Sequence, residues 1–129
     1  MATVHELRIA LTVPDFDKAV AFYRDALGLE QLAGWSSEDG RVVLLDAGKA
    51  RLELFDERQA ATVDAIEAGR RVSGIVRFAV EVDDADATAV RLVAAGAEKV
   101  APPVTTPWGD RNARLTAPDG MQLTLFVPG

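Results

Sequence analysis

Two stretches of this chain carry one grammar. In the first, Leu7, Ile9, Leu11 and Val13 alternate with Arg8, Ala10 and Thr12, Pro14-Asp15 follows, and Ala19, Val20, Phe22, Tyr23, Ala26 and Leu27 recur at helical spacing before Gly28. Alternation at period two marks a half-buried strand, an aspartate ahead of the periodic run caps a helix, and glycine ends it. In the second stretch, Val76, Phe78, Val80 and Val82 alternate with Arg77, Ala79 and Glu81, Asp83-Asp84 caps a helix from about Ala85 to Ala95, and Gly96 stops it. Superposed, Arg8 falls on Arg77 and Ala10 on Ala79, an offset of 69, while Leu52-Glu53-Leu54-Phe55 falls on Leu123-Thr124-Leu125-Phe126, an offset of 71. Two inserted residues explain the difference. A chain that repeats one supersecondary unit folds as paired modules.

The remaining strands complete each unit. Val42 to Leu45 and Arg51 to Phe55 flank the turn Asp46-Ala47-Gly48-Lys49, and Leu29 to Ala33 is taken as extended, which makes the first half β-α-β-β-β. In the second half Ala113 to Thr116 and Gln122 to Val127 flank Pro118-Asp119-Gly120. Between the halves, Asp56 to Arg71 is polar and alanine-rich. A short helix is expected there, with Val63, Ile66 and Ala60 on one side; a mobile linker is the alternative. The expected fold is α+β: two βαβββ modules in tandem, with curved mixed sheets enclosing a pocket. They form one domain over residues 1–129, with module 1 at about 5–57, the linker at about 58–71 and module 2 at about 72–128.

Composition removes several function classes. With 129 residues, 49% of them hydrophobic and 26% charged, the chain can bury a core. Its 20 acidic and 14 basic side chains give a net charge of −6, the wrong sign for nucleic-acid binding by counterion release. No cysteine is present, so disulfides, thiolate zinc sites and cysteine nucleophiles are excluded, and a cytoplasmic location is expected. No run approaches the roughly 20 apolar residues that cross a bilayer. Met1 to Arg8 lacks the pattern of an export signal, so no membrane partner is expected.

Leu11-Thr12-Val13-Pro14-Asp15 together with Ala21-Phe22-Tyr23-Arg24-Asp25-Ala26-Leu27-Gly28 resembles the opening of vicinal oxygen chelate proteins, the glyoxalase/bleomycin resistance/extradiol dioxygenase group. Val80-Glu81-Val82-Asp83-Asp84, Pro107-Trp108-Gly109 and Ala117-Pro118-Asp119-Gly120 are similar to that family's second module, and together with the opening these segments span almost the whole chain in the right order. The resemblance implies paired modules around a pocket in which enzymes of the family hold one divalent metal through His and Glu. Those ligand positions fall on Arg8, Glu53, Arg77 and Thr124, of which Glu53 alone keeps a ligand type. A guanidinium has no lone pair to offer and repels a cation, and a hydroxyl is a poor ligand for a catalytic divalent ion. No metal and no cofactor are therefore expected. His5, an odd number of residues before Arg8 and near the terminus, is expected on the strand's other face.

Strand parity places Arg8, Ala10, Glu53, Phe55, Arg77, Ala79, Thr124 and Phe126 on the concave side, and Leu7, Ile9, Leu52, Phe78, Val80 and Leu125 beneath the helices. Arg8 and Arg77 read either as an anion clamp or as cations neutralised internally by Glu53 and Glu81. Glu53 reads as a general base, a lone metal ligand or a salt-bridge partner whose pKa the arginines lower. Trp35 and Trp108 fall in turn-rich segments that border the cavity, where they stack a planar ligand or cover the sheet's end; ligand contact is favoured for Trp108. The candidate ligand-binding set is Arg8, Trp35, Glu53, Phe55, Arg77, Trp108 and Thr124. Phe22 and Tyr23 are accounted for by helix packing, and Asp15, Asp84 and Asp119 by caps and turns.

Three functions compete. The first is a metal-independent binding protein, similar to bleomycin-resistance-type members, that takes an anionic or aromatic small molecule. The second is a lyase, isomerase or dioxygenase with a non-standard metal site, or with metal-free acid/base work by Glu53. The third is an accessory protein without ligand, favoured by arginines fully engaged by glutamates and a cavity filled by Phe55 and Phe126. A homodimer is expected under all three.

Overall fold

The structure, a computed structural model, describes residues 4–129; residues 1–3, which enter the leader reading and the 1–129 span, lie outside the described residues. Strand β1 (Val4–Thr12) leads through Asp15 into α1 (Phe16–Val20), continued by a π-helical stretch (Ala21–Ala26), then β2 (Glu30–Ser37), β3 (Gly40–Asp46) and β4 (Arg51–Phe55). After α2 (Glu57–Ala68) the pattern returns as β5 (Val76–Val82), α3 (Ala85–Ala94), β6 (Glu98–Lys99), β7 (Val104–Thr105), β8 (Arg111–Thr116) and β9 (Gln122–Val127). The repeated aspartates do the same work in both halves. Asp15 accepts the backbone N–H of Lys18 and Asp84 that of Ala87, so each strand passes into its helix through a side-chain cap.

The modules join in one curved, unclosed nine-stranded sheet, ordered β2-β3-β4-β1-β5-β9-β8-β6 with β7 on β8. The order reads the same from the centre outwards in both directions. The first strands meet antiparallel at the middle, with Arg8 opposite Ala79 and Ala10 opposite Arg77. Each then pairs parallel with its own module's last strand, Ala10 beside Glu53 and Ala79 beside Thr124. The offsets of 69 and 71 in the sequence are thus a local two-fold axis in space, and the shift between them falls in the connections. No described helix is long and apolar enough to cross a membrane.

Two apolar clusters fill the convex side. Phe16 and Val20 pack on Val43, Leu45 and Leu54, and Ala85 and Ala89 pack on Ala113, Leu115 and Leu125. Leu52, Val80 and Leu125 join these clusters as the alternation requires, whereas Leu7, Ile9 and Phe78, on the two central strands, are only half-buried and lie outside both.

The connecting segment forms the expected helix, with Ala60 and Val63 on its inner side. It is a helix of 12 residues, capped by Asp56, which accepts the N–H of Gln59, and closed by Gly69. The alternative of a mobile linker is the reading that the structure overturns. Ala60 and Val63 pack on Ala10, Val42 and Phe55, so α2 lies over the concave face. Ile66 is half-buried, and beside the buried Ala68 the same face carries three buried polar side chains, Gln59, Asp64 and Glu67. The β2–β3 turn fixes where the helix starts. Gly40 has φ +130, and a Cβ there would collide with the backbone of Gln59, so only glycine lets hairpin and helix approach.

Candidate functional site

All seven candidate residues border a single cavity of about 110 Å³, together with Val42, Gln59, Val63, Glu67, Ala79, Asp110, Asn112 and Phe126. Ala10, predicted on the same face, lies instead beneath α2 with Val63 and Phe55. Parity explains the gathering. Ala10 is the neighbour of both Glu53 and Arg77, and Ala79 is the neighbour of both Arg8 and Thr124. A small residue at the middle of each row leaves room for the long side chains on either side to converge.

The arginines are held in a two-fold pattern across the modules. The Arg8 guanidinium stacks 4.6 Å from the ring centroid of Phe126, and Arg77 lies 5.4 Å from that of Phe55. Phe55 and Phe126, both buried, form platforms under cations rather than plugs in the hollow. Beyond this the symmetry breaks. Arg8 Nε donates to Glu6, which also pairs with Arg51 at 2.9 Å. Arg77, 5% exposed, donates from a terminal nitrogen to Thr124 Oγ1 at 2.8 Å and forms no ion pair with a carboxylate among the described residues. The expected neutralising partners, Glu53 and Glu81, make no ion pair with either arginine. Glu6 takes that place for Arg8 because it shares the same strand face two residues earlier.

Thr124 is fully committed. It donates to Glu67 Oε1 at 2.7 Å and accepts from Arg77 at 2.8 Å and from Arg114 Nε at 3.2 Å. With one proton and two lone pairs in use and 2% exposure, it positions its neighbours.

Sequence reasoning missed the source of that order. Arg114 is 0% exposed; it reaches Glu67 Oε1 at 2.9 Å, Asp64 Oδ1 at 2.9 Å and the Ser73 hydroxyl at 2.9 Å. Glu67 also accepts Asn112 Nδ2 at 2.8 Å, which leaves Asn112 Oδ1 as a buried acceptor without a partner among the described residues. This network ties α2 to β8 and β9 and forms one wall of the cavity. The parity that placed Thr124 in the hollow would have placed Arg114, its cross-strand neighbour, there too.

Three carboxylates border the cavity, and two are satisfied. Glu67 is bonded as above, and Asp110 accepts Trp108 Nε1 at 3.0 Å and the Gly129 N–H at 3.1 Å. Glu53 makes no hydrogen bond or ion pair among the described residues. Burial pushes its carboxyl above the ordinary range; Arg77 and Arg8 pull it down, and Glu67 and Glu6 push it up. The expected lowering is therefore reversed. The arginines are engaged by Phe55, Thr124, Phe126 and Glu6 and leave the desolvation uncompensated.

This has a measurable sign. A carboxyl whose folded pKa lies above its unfolded value near 4.5 keeps its proton longer in the folded chain, so stability falls as pH rises through that interval. Glu53→Gln removes this slope. Urea denaturation of both proteins over a pH series should show the variant gaining on wild type as pH rises above about 4.5. A difference independent of pH would count against a raised carboxyl at Glu53.

At the mouth, Trp35 and Trp108 are 57% and 47% exposed. The Trp108 N–H is occupied by Asp110, which leaves its ring face open. His5 lies outside the cavity, exposed and hydrogen-bonded to Asp83, as the odd spacing from Arg8 predicts.

The residues do not fit a divalent cation. The four positions that would carry ligands hold two guanidiniums, a committed hydroxyl and one carboxyl, and among the described residues no group of three His, Asp or Glu converges as a ligand set.

Residues 7–125 match the sequence profile described as Glyoxalase/Bleomycin resistance protein/Dioxygenase superfamily. A protein of Bacillus subtilis strain 168, the uncharacterized protein YraH, is 30% identical over 126 residues, covering 93% of this chain and 95% of its own. Among solved structures, a hypothetical protein of Bacillus halodurans, BH1468, superposes with a TM-score of 0.74 at 15% identity, covering 99% of this chain and 96% of that one. Methylmalonyl-CoA epimerase of Mycobacterium tuberculosis gives 0.64 at 21% identity over 98% and 88% of the two chains. The Streptomyces coelicolor epimerase in complex with 2-nitronate-propionyl-CoA gives 0.65 at 23% over 99% and 98%. At these identities the structural likeness establishes the fold alone.

Proposed function

The chain belongs to the glyoxalase/bleomycin resistance protein/dioxygenase superfamily, and from that membership and the chemistry of the cavity we propose a metal-independent small-molecule binding protein. Its ligand carries a small anionic group on a planar, aromatic body. Arg77 carries the reading: a buried guanidinium, open to the cavity, whose polar partner among the described residues is a single hydroxyl. Charge of that kind is costly to bury without a counter-charge, and an oxyanion supplies one.

Size assigns the parts. A cavity of about 110 Å³ lies below the roughly 300 Å³ at which drug-sized pockets begin. It takes a head group such as a carboxylate, and the remainder of the ligand rests between the exposed faces of Trp35 and Trp108. A ligand-free accessory role is less well supported, because Arg77 is not engaged by a glutamate and the two phenylalanines lie under the arginines.

Thermal-shift and calorimetric titrations compare aromatic carboxylates such as indole-3-acetate with the neutral body, indole. The carboxylates should bind saturably and more tightly. Absence of saturable binding by any anionic aromatic compound defeats the proposal.

One observation favours a second reading. A carboxyl raised by burial beside two arginines is a stronger base than an ordinary one, and this suits proton abstraction next to a carboxylate whose enolate the arginines would stabilise. Loss of α-proton signals from a bound carboxylic acid in D2O, abolished by Glu53→Gln, would move the assignment from binder to enzyme.

A further inference from the structure

Glu53 is the carboxyl of the cavity that no described residue engages by a hydrogen bond or ion pair. Of the elements packed around it, β5 presents Arg77, β1 presents Arg8 and Glu6, α2 presents Glu67, and its β3 neighbour Leu44 carries no charge. The two cations whose charges favour ionised Glu53, against the larger effect of burial, are the same two that face an incoming anion. An oxyanion seated on Arg8 and Arg77 therefore screens both from Glu53 and adds a negative charge beside it.

Resting on the binding reading above, we propose that the cavity takes up a carboxylate together with one proton. The ligand enters as its anion, a proton from solvent binds a Glu53 carboxylate oxygen, and the resulting O–H donates to the ligand's oxyanion. The complex then holds two guanidiniums, one ligand anion and a neutral acid, in place of two carboxylates in one small hollow. Burial and the nearby Glu67 and Glu6 act in the same direction, since both already favour the protonated form. Glu53 becomes the group that selects the ligand's charge state. A monoanionic oxyacid is accepted, a dianion is disfavoured, and a neutral amide of the same shape forfeits the arginines.

Linkage makes the uptake measurable. Indole-3-acetate is titrated calorimetrically into the full chain in two amine buffers of different ionisation enthalpy, Tris and imidazole, which supply no competing anion. The series runs from about pH 5 to about pH 9. The buffer dependence of the heat should report close to one proton taken up per ligand wherever Glu53 is ionised in the free protein. Across that window the affinity should fall about tenfold per pH unit. In Glu53→Gln, whose amide donates an N–H without titrating, the uptake and the pH dependence should both vanish.

Saturable binding with no proton exchange at any pH overturns the proposal and leaves the anion pocket standing. Uptake that persists in Glu53→Gln also overturns it, because another group is then titrating. Failure of the wild type to bind the carboxylate at all removes the binding reading, and this inference with it.

Discussion

Arg114→Met should lower the unfolding free energy by about 3–5 kcal/mol, the range found when one partner of a buried ionic network is removed. The guanidinium is completely enclosed and holds Asp64, Glu67, Thr124, Ser73 and Gln122. Methionine retains the stem's packing and deletes every one of these bonds. Asp64 keeps Arg71, the Ser73 hydroxyl and the N–H groups of Val72 and Ser73. Glu67 keeps only Asn112 and Thr124 and becomes the poorly compensated charge. The double variant Arg114→Met/Glu67→Gln should accordingly recover part of the loss. Urea midpoints at unchanged slope measure this.

The sign with pH follows from Asp64. Burial opposes its ionisation, yet hydrogen bonds from Ser73 and Val72 and the charge of Arg114 hold its carboxyl well below the usual carboxylate range. Its stabilisation is thus complete above the unfolded value near 3.8 and is lost only as pH falls through the folded value. The gap between wild type and Arg114→Met should stay constant at neutral pH and narrow in strong acid. A loss below about 1 kcal/mol at neutral pH would mean that α2 is held by its apolar contacts alone.

The strands and their capped helices were legible because their signals are local. Leu7 to Val13 and Val76 to Val82 announce their inner faces by alternation, and Asp15 and Asp84 stand where the caps are found. The same alternation placed Arg8, Glu53, Arg77 and Thr124 around one hollow without any knowledge of how the modules meet. What α2 does was not legible. A helix whose inner face carries Gln59, Asp64 and Glu67 has the polarity of a solvated one, and the partner that justifies burying Glu67 lies 47 residues away on β8. The charge state of Glu53 was misread for a related reason. Sequence proximity of types, one carboxylate and two arginines, suggested pairing; the fold turned the arginines onto Phe55, Phe126, Thr124 and Glu6. Residue type sets which partners are possible, whereas rotamer and row decide which are taken.

The largest effect on binding is expected at Arg77. Arg77→Met should weaken indole-3-acetate by at least about thirtyfold, the lower end of the cost of removing one side of a buried, hydrogen-bonded charge pair. The same substitution should change the affinity for indole, which has no anionic group, by less than about threefold. Methionine keeps an unbranched stem over Phe55, and Thr124 retains Arg114 as a donor, so the cavity wall stays in place. Arg8→Met should cost the carboxylate less. Arg8 already shares its charge with Glu6, and it sits nearer solvent than Arg77. The order of the two effects therefore reads out which cation is uncompensated in the free protein. Equal weakening of indole and indole-3-acetate by Arg77→Met would show that the residue shapes the pocket without meeting the anion, and the charge argument for this site would fail.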